Sequence, residues 1–173
     1  MGHKEHRANA PRAVRLAVLS VSSTRTLAED DSGHWIVQQA QTHGHTVVAH
    51  EVVTDDIAAI YGALRQMVAL SEPQAVIVTG GTGITPQDVT IEALKPHFSK
   101  ELTSFGSLFA QLSYAQVKSA AIISRATAGM IDGVIVFCLP GSIKACQLAC
   151  EELIFPELGH LVVHAAKASA ARS

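Results

Sequence analysis

The sequence predicts an α/β fold, a three-layer α/β/α sandwich around a mostly parallel central sheet. Three observations carry this: the first apolar runs are short and β-branched, segments of helical periodicity separate them, and capping or turn residues mark each exchange. Strands of that kind should be parallel, covered on both faces and joined by right-handed crossovers.

Val14 to Val21 reads as the first strand. The polar loop Ser22 to Ser32 follows, and its Asp30-Asp31-Ser32-Gly33 end can cap a helix through about Thr42. His43-Gly44 stops that helix before a second strand, Thr46 to Val53. Thr54-Asp55-Asp56 then caps a helix in which Ile57, Ile60, Tyr61, Leu64, Met67 and Val68 recur at helical spacing. Pro73 turns the chain into a third strand, Ala75 to Thr79. Helical pieces through about Val117 lead to strands at Ala120 to Ser124 and Val134 to Leu139. A helix opening at Pro140-Gly141-Ser142 would turn Ala145, Leu148, Ala149 and Leu153 inward, and Pro156 separates it from a last helix ending near Ala168. Residues 1–13 read as a flexible arm, 14–167 as one domain and 168–173 as a frayed tail.

A chain of 173 residues with 48% hydrophobic content can bury a sizeable core. Thirteen basic against fifteen acidic residues give a net charge of −2, without the basic stripe that a nucleic-acid backbone demands. No apolar run approaches the roughly 18 residues of a membrane span, and the polar N-terminus lacks a signal-peptide core. Cys138, Cys146 and Cys150 are odd in number and contain no Cys-x-x-Cys pair, which suits a reducing compartment. A cytoplasmic protein with neither a nucleic-acid nor a membrane partner is expected.

The most informative stretch runs from Ala75 to Asp88, where an apolar strand enters Gly80-Gly81-Thr82-Gly83. Glycines can adopt backbone angles closed to other residues, and without side chains they let a phosphate approach consecutive N–H groups. Asp88 nearby would only repel that phosphate, so its presence suggests a bridging cation such as Mg²⁺. A simple tight turn is the rival reading. In an open parallel sheet, ligands bind outside the carboxyl ends of the strands. The loops after the first three strands and Pro140-Gly141-Ser142 after the last can therefore face one cleft. Gly141-Ser142 repeats the pattern of close backbone approach followed by a helix start.

Five motifs in order, Leu19 to Ser22 ahead of Asp31 to Gly33, Thr79 to Gly83 with Asp88 to Thr90, Phe105-Gly106, Ser124 to Gly129, and Leu139 to Ser142, resemble the MoaB/MogA family of molybdenum cofactor proteins. The resemblance spans roughly Val14 to Ala166, and Phe105-Gly106, Ser124 to Gly129 and Lys144-Ala-Cys146 look most like the MoaB branch. It implies a molybdopterin adenylyltransferase that takes Mg²⁺, ATP and molybdopterin. It also implies a homotrimer or homohexamer, with a molybdenum insertion protein acting downstream. By that likeness Gly80, Gly81, Thr82 and Gly83 cradle phosphate and Asp88 holds the metal. Asp55 is a second catalytic acid, although Asp55 or Asp56 could equally cap the following helix. Ser22 belongs to the first motif, and Ser124, Pro140, Gly141 and Ser142 match positions that in the family line the pterin and nucleotide cleft. Asp31 and Ser32 fall in a further polar loop, where capping explains them as well. One departure is Gln87, where family members usually place a basic residue. An amide hydrogen-bonds phosphate without offsetting its charge. The alternative is therefore a molybdopterin-binding protein with little turnover. Arg125 or Lys144 could compensate if either faces the cleft.

Other signals are bland. His160 and His164 share a helix face but lack the third ligand of a catalytic zinc. His43, His45 and His50 flank a strand and read as solvated. Cys146 and Cys150 read as core packing. Phe105, Phe109, Leu112 and Tyr114 read as core or as a contact between subunits.

Overall fold

A computed structural model describes residue 11 and residues 13–170. The expected arm lies almost wholly outside the described residues, as do positions 171–173 of the expected tail.

Six strands form one sheet in the order β2-β1-β3-β6-β5-β4: β1 (Arg15–Val21), β2 (Thr46–Val53), β3 (Ala75–Thr79), β4 (Lys100–Glu101), β5 (Thr127–Ile131) and β6 (Val134–Leu139). The pairs β1/β2, β1/β3 and β3/β6 are parallel, whereas β5 runs antiparallel to both β6 and β4. From Leu16 to Val21 along β1, and throughout β3, every residue is buried, because alternate residues enter opposite apolar layers. Leu16, Val18, Ala75 and Ile77 pack with α1 (Asp31–Thr42), α4 (Thr103–Val117), α5 (Ile143–Ala149) and α6 (Leu158–Ala170). Ala17, Leu19, Val76 and Val78 pack with α2 (Ile57–Ser71) and α3 (Thr90–Leu94). The three-layer arrangement follows.

Local chemistry sets the helix starts. Asp30 accepts the Gly33 N–H at 3.0 Å to open α1, and Asp56 accepts the Ala59 N–H at 2.8 Å to open α2.

Two strands differ from expectation. Ala120 to Ser124 is no strand: Lys118–Ile123 is a 3₁₀ turn on the surface, with Ile122 88% exposed. The place beside β6 belongs to β5, because Asp132 and Gly133, at φ 49° and 83°, make a two-residue hairpin that registers Ile131 against Val134. The short edge strand β4 was not anticipated either.

The histidines also differ. His45 is buried against Phe155, with no hydrogen-bond partner for Nδ1 among the described residues. His50 Nε2 lies 2.7 Å from the buried carboxylate of Asp30. The thiols of Cys138, Cys146 and Cys150 are all buried, and burial pushes Cys138 up to about 12 and Cys146 to about 11.

Candidate functional site

The loops at the carboxyl ends of β1, β2, β3 and β6 enclose a cleft of about 650 Å³. Ser22, Asp55, Gly80, Gly81, Thr82, Gly83, Asp88, Ser124, Pro140, Gly141 and Ser142 all line it, so the structure brings these eleven expected residues together. Ser23, Thr24, Arg25, Gln87, Ile123 and Arg125 complete the walls. Lys144 is exposed on α5 and takes no part.

The glycine loop is shaped by positions where a side chain cannot fit. Gly80 has φ +99°, and a Cβ there would meet Val21 O at 2.3 Å. Gly81 has φ +62°, with Thr90 Oγ1 at 2.5 Å from any Cβ. Gly83 differs, since its backbone is ordinary and what it needs is room beside Asp88. Three successive carbonyls of the loop are held by Thr90 and Arg125. Thr90 Oγ1 donates to Gly80 O at 2.8 Å, the Thr90 N–H donates to Gly81 O at 2.9 Å, and Arg125 Nε donates to Thr82 O at 2.9 Å. The Gly80 N–H is engaged by Leu139 O, so it stays in the sheet.

Two carboxylates flank this loop. Thr85 donates both its N–H and its hydroxyl to Asp88 Oδ2, at 2.9 and 2.6 Å, and both carboxylate oxygens lie close to Gly83. The Thr85 hydroxyl, the neighbouring N–H groups of Thr85 and Gly83 and the charge of Arg125 outweigh the effect of burial and hold the Asp88 carboxyl below its usual range. On the other side Ser23 Oγ donates to Asp55 Oδ2 at 2.7 Å, and Asp55 Oδ1 sits beside Gly81. Asp56 supplies the helix cap, so Asp55 is not the capping residue.

Arg125 faces the cleft, but its guanidinium is forked on Glu92 at 2.8 and 3.1 Å. Its charge is therefore largely paired. Arg25 is the other cation of the walls, and Gln87 is neutral. Ser142 accepts the Ala145 N–H at 3.3 Å, and a Cβ on Gly141 would approach Gly80 Cα to 3.1 Å, so the two glycine turns touch. Asp31 is exposed outside the cleft, whereas Ser32 donates to Gly141 O at 2.9 Å and braces that turn. Below it Asp30 receives Ser20 Oγ as well as His50, tying β1, β2 and α1 together under the floor.

Sequence reasoning did not place Ser23 and left the direction of Arg125 open. Ser23 sits one residue beyond a motif that was recognised, but nothing in spacing pairs it with Asp55, 32 positions away.

An open, mostly parallel sheet with a polar cleft at its strand ends defines a ligand-binding α/β protein. Residues 17–160 match the family described as probable molybdopterin binding domain. The molybdenum cofactor biosynthesis protein B of Bacillus subtilis is 45% identical over 163 residues, 94% of this chain and 96% of that protein. That of Escherichia coli K12 is 40% identical over 144 residues, 83% of this chain and 85% of that one. A crystal structure of molybdenum cofactor biosynthesis protein B superposes with a TM-score of 0.87 at 39% identity, covering 92% of this chain and 99% of that one. The tungsten cofactor synthesizing protein MoaB of Pyrococcus furiosus superposes with a TM-score of 0.81, also at 39% identity, covering 90% and 99%. The chain belongs to the MoaB/MogA family of molybdenum cofactor biosynthesis proteins.

Proposed function

We propose that this chain adenylylates molybdopterin with Mg-ATP in the cytoplasm, as a homotrimer or homohexamer whose product passes to a molybdenum insertion protein. The observation that carries the reading is the placement of two carboxylates against the Gly81–Gly83 segment, Asp55 through Oδ1 beside Gly81 and Asp88 beside Gly83. A transferring phosphate seated on the loop amides would lie between two acids.

The donor set suits magnesium. Mg²⁺ takes one or two carboxylates and completes its shell with water and substrate phosphate, whereas an all-protein cage would need more ligands. Among the described residues no group of three or more His, Cys, Asp or Glu side chains could hold a metal ion. Magnesium, when bound by Asp88 with Asp55 assisting, supplies charge neutralisation at the polyphosphate.

The terminal phosphate oxygen of molybdopterin forms a bond to the α-phosphorus of ATP as the bond to the β-phosphate oxygen breaks, releasing pyrophosphate. Positioning and charge neutralisation dominate such a step. The Gly81, Thr82 and Gly83 amides hold phosphate oxygens in line. Ser23 orients the Asp55 carboxylate and Thr85 that of Asp88. The Pro140–Ser142 turn and Ser124 close the cleft around pterin and nucleotide.

A second reading has its own support. Gln87 is neutral and Arg125 is paired with Glu92, which leaves Arg25 to carry most of the basic charge of the walls and suits a protein that holds molybdopterin with little turnover. One assay separates the two: purified protein with Mg-ATP and molybdopterin releases pyrophosphate well beyond one equivalent per subunit if it is an enzyme. Release that stops at or below one equivalent contradicts the enzymatic reading.

A further inference from the structure

The geometry points to Arg125 and Thr90 as positioning residues that preset the glycine loop for an anion, an inference that rests on the phosphate reading above. A trans peptide is planar, so its C=O and N–H point in opposite directions. Fixing a carbonyl therefore aims the next residue's N–H. Thr90 Oγ1 holds the carbonyl of Gly80, the Thr90 N–H holds that of Gly81, and Arg125 Nε holds that of Thr82. The amides of Gly81 and Thr82 are consequently turned away from Thr90, which is not part of the cleft lining, and the Gly83 amide is turned away from Arg125 and set beside Asp88. Without such ties a segment containing three glycines samples many conformations, and ordering it would weaken anion binding by its conformational entropy.

Thr90 is fully buried, at 0% exposure, at the start of α3, where nothing but the loop engages its hydroxyl among the described residues. Arg125 arrives from the far side of the sheet order and is itself fixed by the fork on Glu92, a residue of α3. Thr90 and Glu92 are two residues apart on one short helix, so α3 is the common anchor for all three carbonyls. This assigns Arg125 a job other than direct phosphate pairing: a planar guanidinium can donate to both Glu92 oxygens and still present Nε to a carbonyl, whereas an ammonium cannot make both contacts in fixed geometry.

The test uses the full chain and its variants Arg125→Lys, Thr90→Val and Thr90→Ser. Mg-ATP affinity is measured by calorimetry and the amide resonances of Gly81, Thr82 and Gly83 are followed by ¹⁵N NMR without ligand. Arg125→Lys and Thr90→Val are each expected to weaken Mg-ATP binding about tenfold, the scale of one charge-assisted or buried hydrogen bond. The loop amides shift and exchange faster in both, while Thr90→Ser restores wild-type affinity. Should Arg125→Lys be poorly folded, the Thr90→Val and Thr90→Ser pair decides alone. Wild-type binding that survives unchanged in Arg125→Lys and Thr90→Val, with unmoved amides, overturns the inference and leaves the phosphate reading standing. A wild-type chain that binds no Mg-ATP overturns the phosphate reading, and the inference with it.

Discussion

Ser23 Oγ lies 2.7 Å from Asp55 Oδ2 and donates to it, so Asp55 is held by a neighbouring loop and not by the helix that follows it. Asp56 next door performs the cap. Two adjacent aspartates are thereby separated into one structural and one cleft-facing residue.

That separation predicts opposite phenotypes. Asp55→Asn and Asp88→Asn should each lower kcat for pyrophosphate release by about a hundredfold or more, the scale of removing one transition-state contact, with melting temperature little changed. Asp56→Ala should instead cost about 1 kcal/mol of stability through the lost cap. Turnover and thermal melts on the three variants check both halves.

Gly80→Ala puts a methyl where Val21 O would stand 2.3 Å away, at a φ that L-residues disfavour. The expected loss is on the order of 1–3 kcal/mol of unfolding free energy, measured by urea denaturation. A wild-type midpoint would show that the loop has another conformation within reach.

Gln87→Arg tests whether charge limits the site. A guanidinium beside Asp88 offsets phosphate charge where the amide cannot, so the substitution should tighten Mg-ATP binding severalfold and raise turnover. Equal kinetics in the two proteins would remove the neutral Gln87 as the reason for slow transfer.

Acid should act on the fold in two stages. Burial, aided by the charge of His43, pushes His45 below its ordinary 6.5, so the unfolded chain binds the proton more readily. Stability associated with His45 is present above pH 6.5 and declines as pH falls below it. Burial alone would raise the Asp30 carboxyl, but hydrogen bonds from His50, Ser20 and Gly33 outweigh it and hold it below 3.8. Its contribution is present above 3.8 and is lost as pH falls through the lower folded value. Urea midpoints against pH should flatten in the upper stage for His45→Phe and in the lower for Asp30→Asn.

The legible parts of the fold were those that local pattern decides. The β1 and β3 runs, their glycine exits and the caps before α1 and α2 are written in contiguous residues, and they brought the cleft residues to the right end of the sheet. Ala120 to Ser124 misled because its apolar run matches a strand in composition, while strand identity was decided by competition for the edge of β6. The Asp132-Gly133 dipeptide between Ile131 and Val134 is a hairpin signal that could have settled it. The solvated reading of His45 and His50 failed because each is engaged by a residue remote in sequence: His45 is buried against Phe155, and the half-buried His50 pairs with Asp30. The carbonyl ties of Thr90 and Arg125 were likewise invisible, since they depend on backbone directions that spacing does not encode.

The most direct test is a crystal structure of the chain with Mg-ATP and molybdopterin. Phosphate oxygens within hydrogen-bond distance of the Gly81, Thr82 and Gly83 amides, with the metal on Asp88, are the predicted result. Ligand density lodged in another pocket, with that loop bare, would contradict it.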